Sequence, residues 1–314
     1  MPITQAASGL AEPPVISVVI PTYNRAPFLR EVLDSVFAQR DCPPFEVVLV
    51  DDASTDDTAA VLAALPEPVE VVRLRRNGGV AAARQAGVAR ARGTLLAFHD
   101  SDDLMLPGRL ARLADYLAEH PEVGAVVADG ETESETGAPQ GRVVPPALAT
   151  RLAGRRVGVR EILRDGLPVY LQSALIRRVV FEEAGGIDAT LDRHADLEMV
   201  SRLSLAAPLV FLNEPVFRYR LHGANQTRNR LRLREGLVVV MRRLRTRRPE
   251  ALALVGRGWF RRRESRHLYR IARTRWRAGD AERARLAIRE ALGLAPASLR
   301  CRWLAWRIAR GRRA

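Results

Sequence analysis

The chain has 314 residues, of which 47% are hydrophobic, and 50 basic against 36 acidic side chains give a formal charge of +14. That is enough length for one large or two moderate domains. Every basic residue is Arg and none is Lys, which excludes a phosphate loop built on Lys and Schiff-base chemistry built on an amine. Two cysteines, Cys42 and Cys301, make neither a metal cluster nor a disulfide framework and suit a reducing cytoplasm. No apolar run approaches the roughly 18 residues of a spanning helix. Residues 1–13 read as a flexible tail without a charged-then-apolar leader.

Residues 15–20 are a β-branched run, closed by Pro21-Thr22-Tyr23-Asn24-Arg25 and followed by a helical pattern with Leu29, Val32, Leu33 and Val36 on one face. Residues 45–50 predict a second strand, ended by Asp51-Asp52-Ala53-Ser54-Thr55-Asp56-Asp57, and then a helix through Val61, Leu62 and Leu65. Asp56 and Asp57 suit helix capping. A third strand spans 69–74, Asn77-Gly78-Gly79 turns into a helix over 80–91, and a fourth strand spans 94–98. Strands alternating with helices give a parallel sheet with covered faces, and the polar loops after the strands converge on one edge. Directly behind the fourth strand, Asp100-Ser101-Asp102-Asp103 packs three carboxylates into four positions. Such carboxylates repel one another, and a divalent cation bridging to a phosphate is the simplest way to make the arrangement favourable. No Gly-x-Gly-x-x-Gly follows any strand, which argues against a dinucleotide dehydrogenase.

Ile20-Pro21-Thr22-Tyr23-Asn24-Arg25, Val50-Asp51-Asp52-Ala53-Ser54-Thr55-Asp56, Asn77-Gly78-Gly79-Val80-Ala81-Ala82-Ala83-Arg84 and Asp100-Ser101-Asp102-Asp103 resemble, in order and spacing, the four successive signatures of family 2 glycosyltransferases. The resemblance continues to about residue 227. It implies an α/β GT-A fold, a Rossmann-like, mostly parallel sheet flanked by helices. It also implies transfer of a sugar from a nucleotide-diphosphate donor to an acceptor hydroxyl, with inversion and with Mg2+ or Mn2+ on the diphosphate. A nucleotide-sugar needs an apolar wall, an acceptor for its base edge and positive charge at its phosphates. Tyr23 and Pro21 can supply the wall, Asp51 or Asp52 can accept from an imide N–H or a ribose hydroxyl, and Arg84 can contact phosphate. The resemblance places Thr22 and Asn24 beside them, and assigns Asp51 to the base, Asp100 to the ribose side and Asp102 to the metal.

Residues 123–128 form a further apolar run, followed by a hairpin-like stretch through Gly137 and Gly141. The segment from Gly166 to Arg178 resembles the acceptor side of the family, continued by a helix that the glycines at 185 and 186 end. In the family the next segment begins with adjacent Glu and Asp, the Asp being the catalytic base. Here Ala195 stands at the Glu position, and Asp196 is the expected base, with Glu198 next in line. Tyr219-Arg220-Leu221-His222-Gly223-Ala224-Asn225-Gln226 resembles the closing segment, in which His222 can reach the metal or the diphosphate. His99 sits on a strand and reads as packed. His120, His194 and His267 have no metal-ligand spacing.

Charge divides the chain. From Arg218 onward there are 29 Arg against 6 acids, a net of +23, whereas residues 1–217 carry a net of −9. Helical stripes run through Leu268, Ile271, Ala272 and Trp276, then Ala281, Ala284, Ile288, Ala291 and Leu292 after a Gly279-Asp280 stop and N-cap; Leu299, Trp303 and Trp306 begin a third. The stretch resembles a single tetratricopeptide-type hairpin. One repeat does not make a stable solenoid, so it reads as an appendage packed on the catalytic domain or on a partner. The asymmetry points the arginines at an anionic partner, expected to be a membrane surface. Few aromatics and no nucleic-acid motif argue against specific nucleic-acid binding.

The expected organisation is a tail over 1–13, a nucleotide-sugar-binding half over 14–129, an acceptor-side half over 130–227 and a basic helical region over 228–314. The expected function is an inverting glycosyl transfer in cell-surface polysaccharide or glycolipid synthesis, by a cytoplasmic protein peripheral at the inner face of the membrane. The rival is a catalytically inactive sugar-nucleotide-binding or scaffold protein, which the departure at Ala195 would favour.

Overall fold

The computed structural model describes residues 14–65, 69–191, 193–223 and 229–311. The expected tail over 1–13, the Ala224-Asn225-Gln226 end of the closing segment and the expected boundary at 227 lie outside the described residues.

The first half alternates β1 (Ile16–Thr22), α1 (Ala26–Phe37), β2 (Phe45–Asp51), α2 (Thr58–Ala63), β3 (Glu70–Arg73), α3 (Val80–Val88) and β4 (Leu95–Phe98). All of β1 is buried, because helices cover the sheet on both faces and its β-branched run needs no polar side. Leu29, Val32, Leu33 and Val36 are the buried face of α1, as the spacing requires. Helix α3 lies close on the sheet through small residues: a Cβ at Gly87 would come 2.4 Å from Val19 Cγ1. The helix ends at Val88, short of the expected 91.

The second half adds β5 (Leu104–Met105), α4 (Arg109–Glu119), the hairpin of β6 (Ala125–Glu133) and β7 (Pro139–Arg142), α5 (Pro146–Leu152), β8 (Arg155–Val157), β9 (Ala174–Arg177), α6 (Arg178–Glu183), α7 (Ala195–Ala206) and β10 (Leu209–Arg220). Among the described residues ten strands make one sheet, ordered β3-β2-β1-β4-β9-β6-β10-β5, with β7 on β6 and β8 on β10. Strands β3, β2, β1 and β4 are parallel, β9 enters antiparallel between β4 and β6, and β6 and β10 are again parallel. The chain is therefore α/β with helices on a central sheet. Because β1, β2 and β4 point the same way, their polar loops open on one edge. Two register shifts in β10 let its far end pair with β5, Phe217 opposite Met105, which carries residues 219–222 over the acidic loop.

Five helices follow: α8 (Arg230–Arg247), α9 (Pro249–Val255), α10 (Arg257–Arg277), α11 (Ala281–Leu294) and α12 (Leu299–Ala309). Asp280 caps α11, accepting from the Arg283 amide, as the Gly279-Asp280 pair foretold. Leu268, Ile271, Ala272, Trp276, Ala284, Ile288 and Ala291 share a core with Cys301 and Leu304. Of the two expected placements, on the catalytic domain or on a partner, the structure shows the first. Val240, Met241 and Leu244 of α8, Ala251 and Val255 of α9 and Phe260 of α10 belong to the same apolar core as Ile162, Met199 and Val200 of the sheet domain. Asp188 also binds Arg243 and, at 3.2 Å, Arg247 of α8.

Candidate active site

The loops after β1 and β2 are stitched together by Asn24. Its backbone takes φ 51°, its Oδ1 accepts from the Thr55 amide at 2.8 Å, and its own amide donates to Ser54 Oγ at 3.0 Å. Asp51 Oδ1 accepts from the Ser54 amide at 2.9 Å. Of the two expected caps, Asp56 accepts from the amides of Ala26 and Thr58 at the starts of α1 and α2, whereas Asp57, which directly precedes α2, makes no side-chain capping bond. Asp52 behaves differently from its neighbour: its two oxygens accept from Gly78 and Gly79 at 2.7 and 2.8 Å, and burial raises its carboxyl above the usual range. Asp52 therefore builds the turn that opens α3. Pro21 is buried in the β1–β2 ladder opposite Val50, and Thr22 beside it is 2% exposed, so neither stands as a wall. Tyr23, 41% exposed, is the aromatic group at the rim.

Arg84 is 2% exposed and lies between two carboxylates, with Nη2 2.6 Å from Asp100 Oδ1 and Nη1 2.5 Å from Asp196 Oδ1. Burial lowers its pKa, but Asp196 and Asp100 more than reverse that. The expected phosphate contact is thus a clasp joining the donor-side loop to the start of α7. Asp196 Oδ2 also accepts from the Leu171 amide at 2.9 Å, which fixes both oxygens of the expected base. Ala195, 4% exposed, packs in the core beside it. Glu198, the next candidate, is 3% exposed and paired with both Arg202 Nε and Nη2, at 2.8 and 2.7 Å, away from the Arg84 clasp.

In the acidic loop, Asp102 Oδ2 meets Arg25 Nε at 2.9 Å and His222 Nε2 at 3.2 Å, and the His222 ring lies against Phe28 with centroids 5.0 Å apart. Asp102 Oδ2 and His222 Nε2 converge here, but among the described residues no group of three metal-ligating side chains forms, so the pair would give a divalent cation two protein ligands and leave the rest to water or phosphate oxygens. Asp103 is fully buried and accepts from Gln172 Nε2 at 2.6 Å and the Arg220 amide at 2.8 Å, so it ties the loop to β10. Burial raises the Asp103 carboxyl well above its ordinary value, and Asp102 and Asp100 add to the effect. Burial likewise raises Asp100; Arg84 opposes the rise, and Asp196 and Asp102 reinforce it.

Three charged partners were not visible in the sequence: Arg25 on Asp102, Arg220, and Arg109 beneath the loop. Arg220 Nε donates to the Asp102 carbonyl at 2.6 Å, and its guanidinium stands 5.1 Å over the Phe28 ring. Arg109 is fully buried, donates to the carbonyls of Phe98 and Ala174, and lies 3.3 Å from Nδ1 of the packed His99. Burial brings its guanidinium down to about 9, with Asp100 pulling the other way.

The family Glycosyl transferase family 2 matches residues 17–184, more than half of the chain. The chain belongs to that family. The uncharacterized glycosyltransferase YwdF of Bacillus subtilis is 31% identical over 190 residues, 60% of this chain and 67% of that protein. The succinoglycan biosynthesis protein ExoO of Rhizobium meliloti is 42% identical, but over only 32% of this chain and 29% of its own. Among solved structures, Staphylococcus aureus TarS 1-349 in complex with UDP-GlcNAc covers 94% of this chain and 92% of that one, with a TM-score of 0.63 at 19% identity. The mannosyltransferase PcManGT of Pyrobaculum calidifontis, in complex with GDP-Man and Mn2+, covers 95% and 81%, with a TM-score of 0.59 at 20% identity. With coverage this high, the shared fold extends past the sheet into the C-terminal helices.

Proposed function

We propose that this glycosyltransferase moves a sugar from a nucleotide-diphosphate donor to an acceptor hydroxyl with inversion, in cell-surface polysaccharide or glycolipid synthesis. The observation that carries the reading is Arg84 joining Asp100 and Asp196, because it sets a carboxylate base one guanidinium away from the donor loop. The ligands named for TarS and PcManGT, UDP-GlcNAc and GDP-Man with Mn2+, support the donor class, and the roles named for ExoO and for the putative teichuronic acid glycosyltransferase TuaG of Bacillus subtilis support the acceptor class.

Tyr23 and Asp51 receive the base and Asp100 the ribose side. Asp196, oriented by Arg84 and the Leu171 amide, takes the acceptor proton as its oxygen attacks from the face opposite the diphosphate. Asp102 and His222 would hold Mg2+ or Mn2+, which when bound would supply positive charge to the diphosphate. Among the described residues no helix is long and apolar enough to cross a membrane, and the arginine excess of the helical region suits peripheral placement at an anionic inner face.

A thermal-shift screen against nucleotide-sugars with Mn2+ or Mg2+ tests the donor, since a ligand bound only by the folded state raises its apparent stability. One donor class is expected to raise the melting temperature in wild type, with a smaller rise for Asp102→Ala. No shift with any donor would overturn the reading.

A further inference from the structure

The helical region holds a cationic cavity that the transfer site does not use. Arg266, Tyr269, Arg270 and Arg273 recur at the spacing of one face of α10, and Arg300 on the first turn of α12 closes an open cavity of about 610 Å³ with them. Among the described residues none of these four arginines pairs with a carboxylate. The field they make is felt nearby: burial first, then Arg263, Arg270, Arg234 and Arg266, bring the buried His267 down to about 4.

The cavity adjoins exposed apolar surface. Arg300, Trp303 and Arg307 follow one another along one side of α12, and Arg307 stands over both Trp303, at 4.8 Å, and Trp276 of α10, at 5.0 Å. Arg310 stands 4.3 Å over Trp306. Trp303 is 53% exposed, Trp306 44% and Leu299 78%. Guanidinium groups suit phosphate, and indoles topped by cations suit the headgroup level of a bilayer. A nucleic acid would use the arginines and could stack on the indoles, but it offers nothing for Leu299; a bilayer takes up all three.

We propose that the α10–α12 face seats on an anionic lipid surface, with lipid phosphates entering the cavity between Arg270 and Arg300 and with Trp303 and Trp306 at headgroup depth. This rests on the peripheral placement proposed above and names the face that would carry it. The phosphates would be bound where no acid competes for the guanidinium groups, and the exposed indoles would lose their contact with water.

The test is flotation of the full chain with phosphatidylcholine vesicles, with and without phosphatidylglycerol, alongside tryptophan emission. Wild type is expected to float only with phosphatidylglycerol and to show a blue shift on binding, both lost near half-molar salt as screening shortens the attraction. The triple variant Arg266→Glu, Arg270→Glu, Arg273→Glu is expected to lose about a hundredfold or more in binding, at roughly a fivefold factor for each of the three basic residues taken from the surface. Trp303→Ala with Trp306→Ala is expected to lose the blue shift and to weaken flotation, with thermal unfolding and donor turnover unchanged. If wild type floats and both variants float equally well, this face is wrong while peripheral placement stands; if wild type does not float, both fall. Binding to a DNA duplex as tight as to the vesicles, without a blue shift on the vesicles, would overturn the lipid assignment in favour of a polyanion.

Discussion

In the sheet half of the molecule, Asp51, Asp52, Asp100, Asp102 and Asp103 are each held by a named amide, guanidinium or imidazole, whereas among the described residues Arg266, Arg270 and Arg273 on the outer face of α10 meet no carboxylate. The same chemistry of charge builds a site in one place and a surface in the other. In the sheet half, burial and crossed hydrogen bonds fix each group to a single position. On α10, neighbouring cations repel one another and stay solvated, which is stable only because water or an anion compensates them. Charge density alone therefore does not mark the site; partnered burial does.

The contrast is broken most severely at Arg84. Arg84→Leu leaves Asp100 and Asp196 facing one another without their shared cation, and the variant is expected to lose about 3 kcal/mol of stability together with activity, read by thermal unfolding and donor turnover. A mutation to Leu at the solvated Arg270 is expected to change stability by no more than about 0.5 kcal/mol. Equal losses at the two positions would erase the distinction.

Asp102→Ala tests the same loop through chemistry. It removes the carboxylate shared by Arg25 and His222, the oxygen proposed to bind the metal, and kcat is expected to fall by about a hundredfold or more while the chain still folds. Full activity in that variant, or in excess chelator, would remove the metal from the scheme.

The helical region has its own pH signature at His267, which burial and the surrounding arginines hold at about 4. Between pH 6.5 and 4 the unfolded chain binds a proton that the folded chain does not, so stability is full above pH 6.5 and falls as pH drops, by up to about 3 kcal/mol. His267→Leu is expected to flatten that slope. A slope of the same size in the variant would place the titration elsewhere.

A smaller effect is expected where the two regions meet. Although burial opposes it, Thr190 and Arg243 hold the Asp188 carboxyl at about 2, so the stability it contributes is present above about pH 4 and is lost as pH falls through 2. Asp188→Asn is expected to cost of order 1 kcal/mol near neutral pH, reduced by solvent screening, and to loosen hydrogen-exchange protection in α8 before the sheet.

The parts that were legible in the sequence are the local ones. Strands β1, β2 and β4 and the loops behind them are short-range patterns, and Asp196 was singled out by its register within a motif. The partners were hidden because they are distant in sequence: Arg25 reaches across 77 positions to Asp102 and Arg84 across 112 to Asp196. In a chain whose every cation is Arg, nothing in composition separates the buried Arg84 and Arg109 from the solvated arginines of α10. Asp51 and Asp52 looked interchangeable for a related reason, since only the position of Gly78 and Gly79 in space assigns Asp52 to the turn. The residues of α8 and α9 that enter the sheet-domain core stand at helical spacing, Leu237, Val240, Met241 and Leu244 and then Ala251 and Val255, but that spacing marks an apolar face without saying whether the catalytic domain or a partner covers it.

Release of nucleoside diphosphate from a panel of nucleotide-sugars, measured for wild type and Asp196→Asn with donor affinity followed in parallel, tests the assignment of the base most directly. Wild type is expected to turn over one donor class in a metal-dependent way. Asp196→Asn is expected to lose about a hundredfold or more in kcat while binding that donor nearly as well, because the amide keeps the size and some of the hydrogen bonds of the carboxylate but does not take a proton. Unchanged kcat in the variant, or no turnover by wild type of any donor that it binds, would contradict a catalytic Asp196.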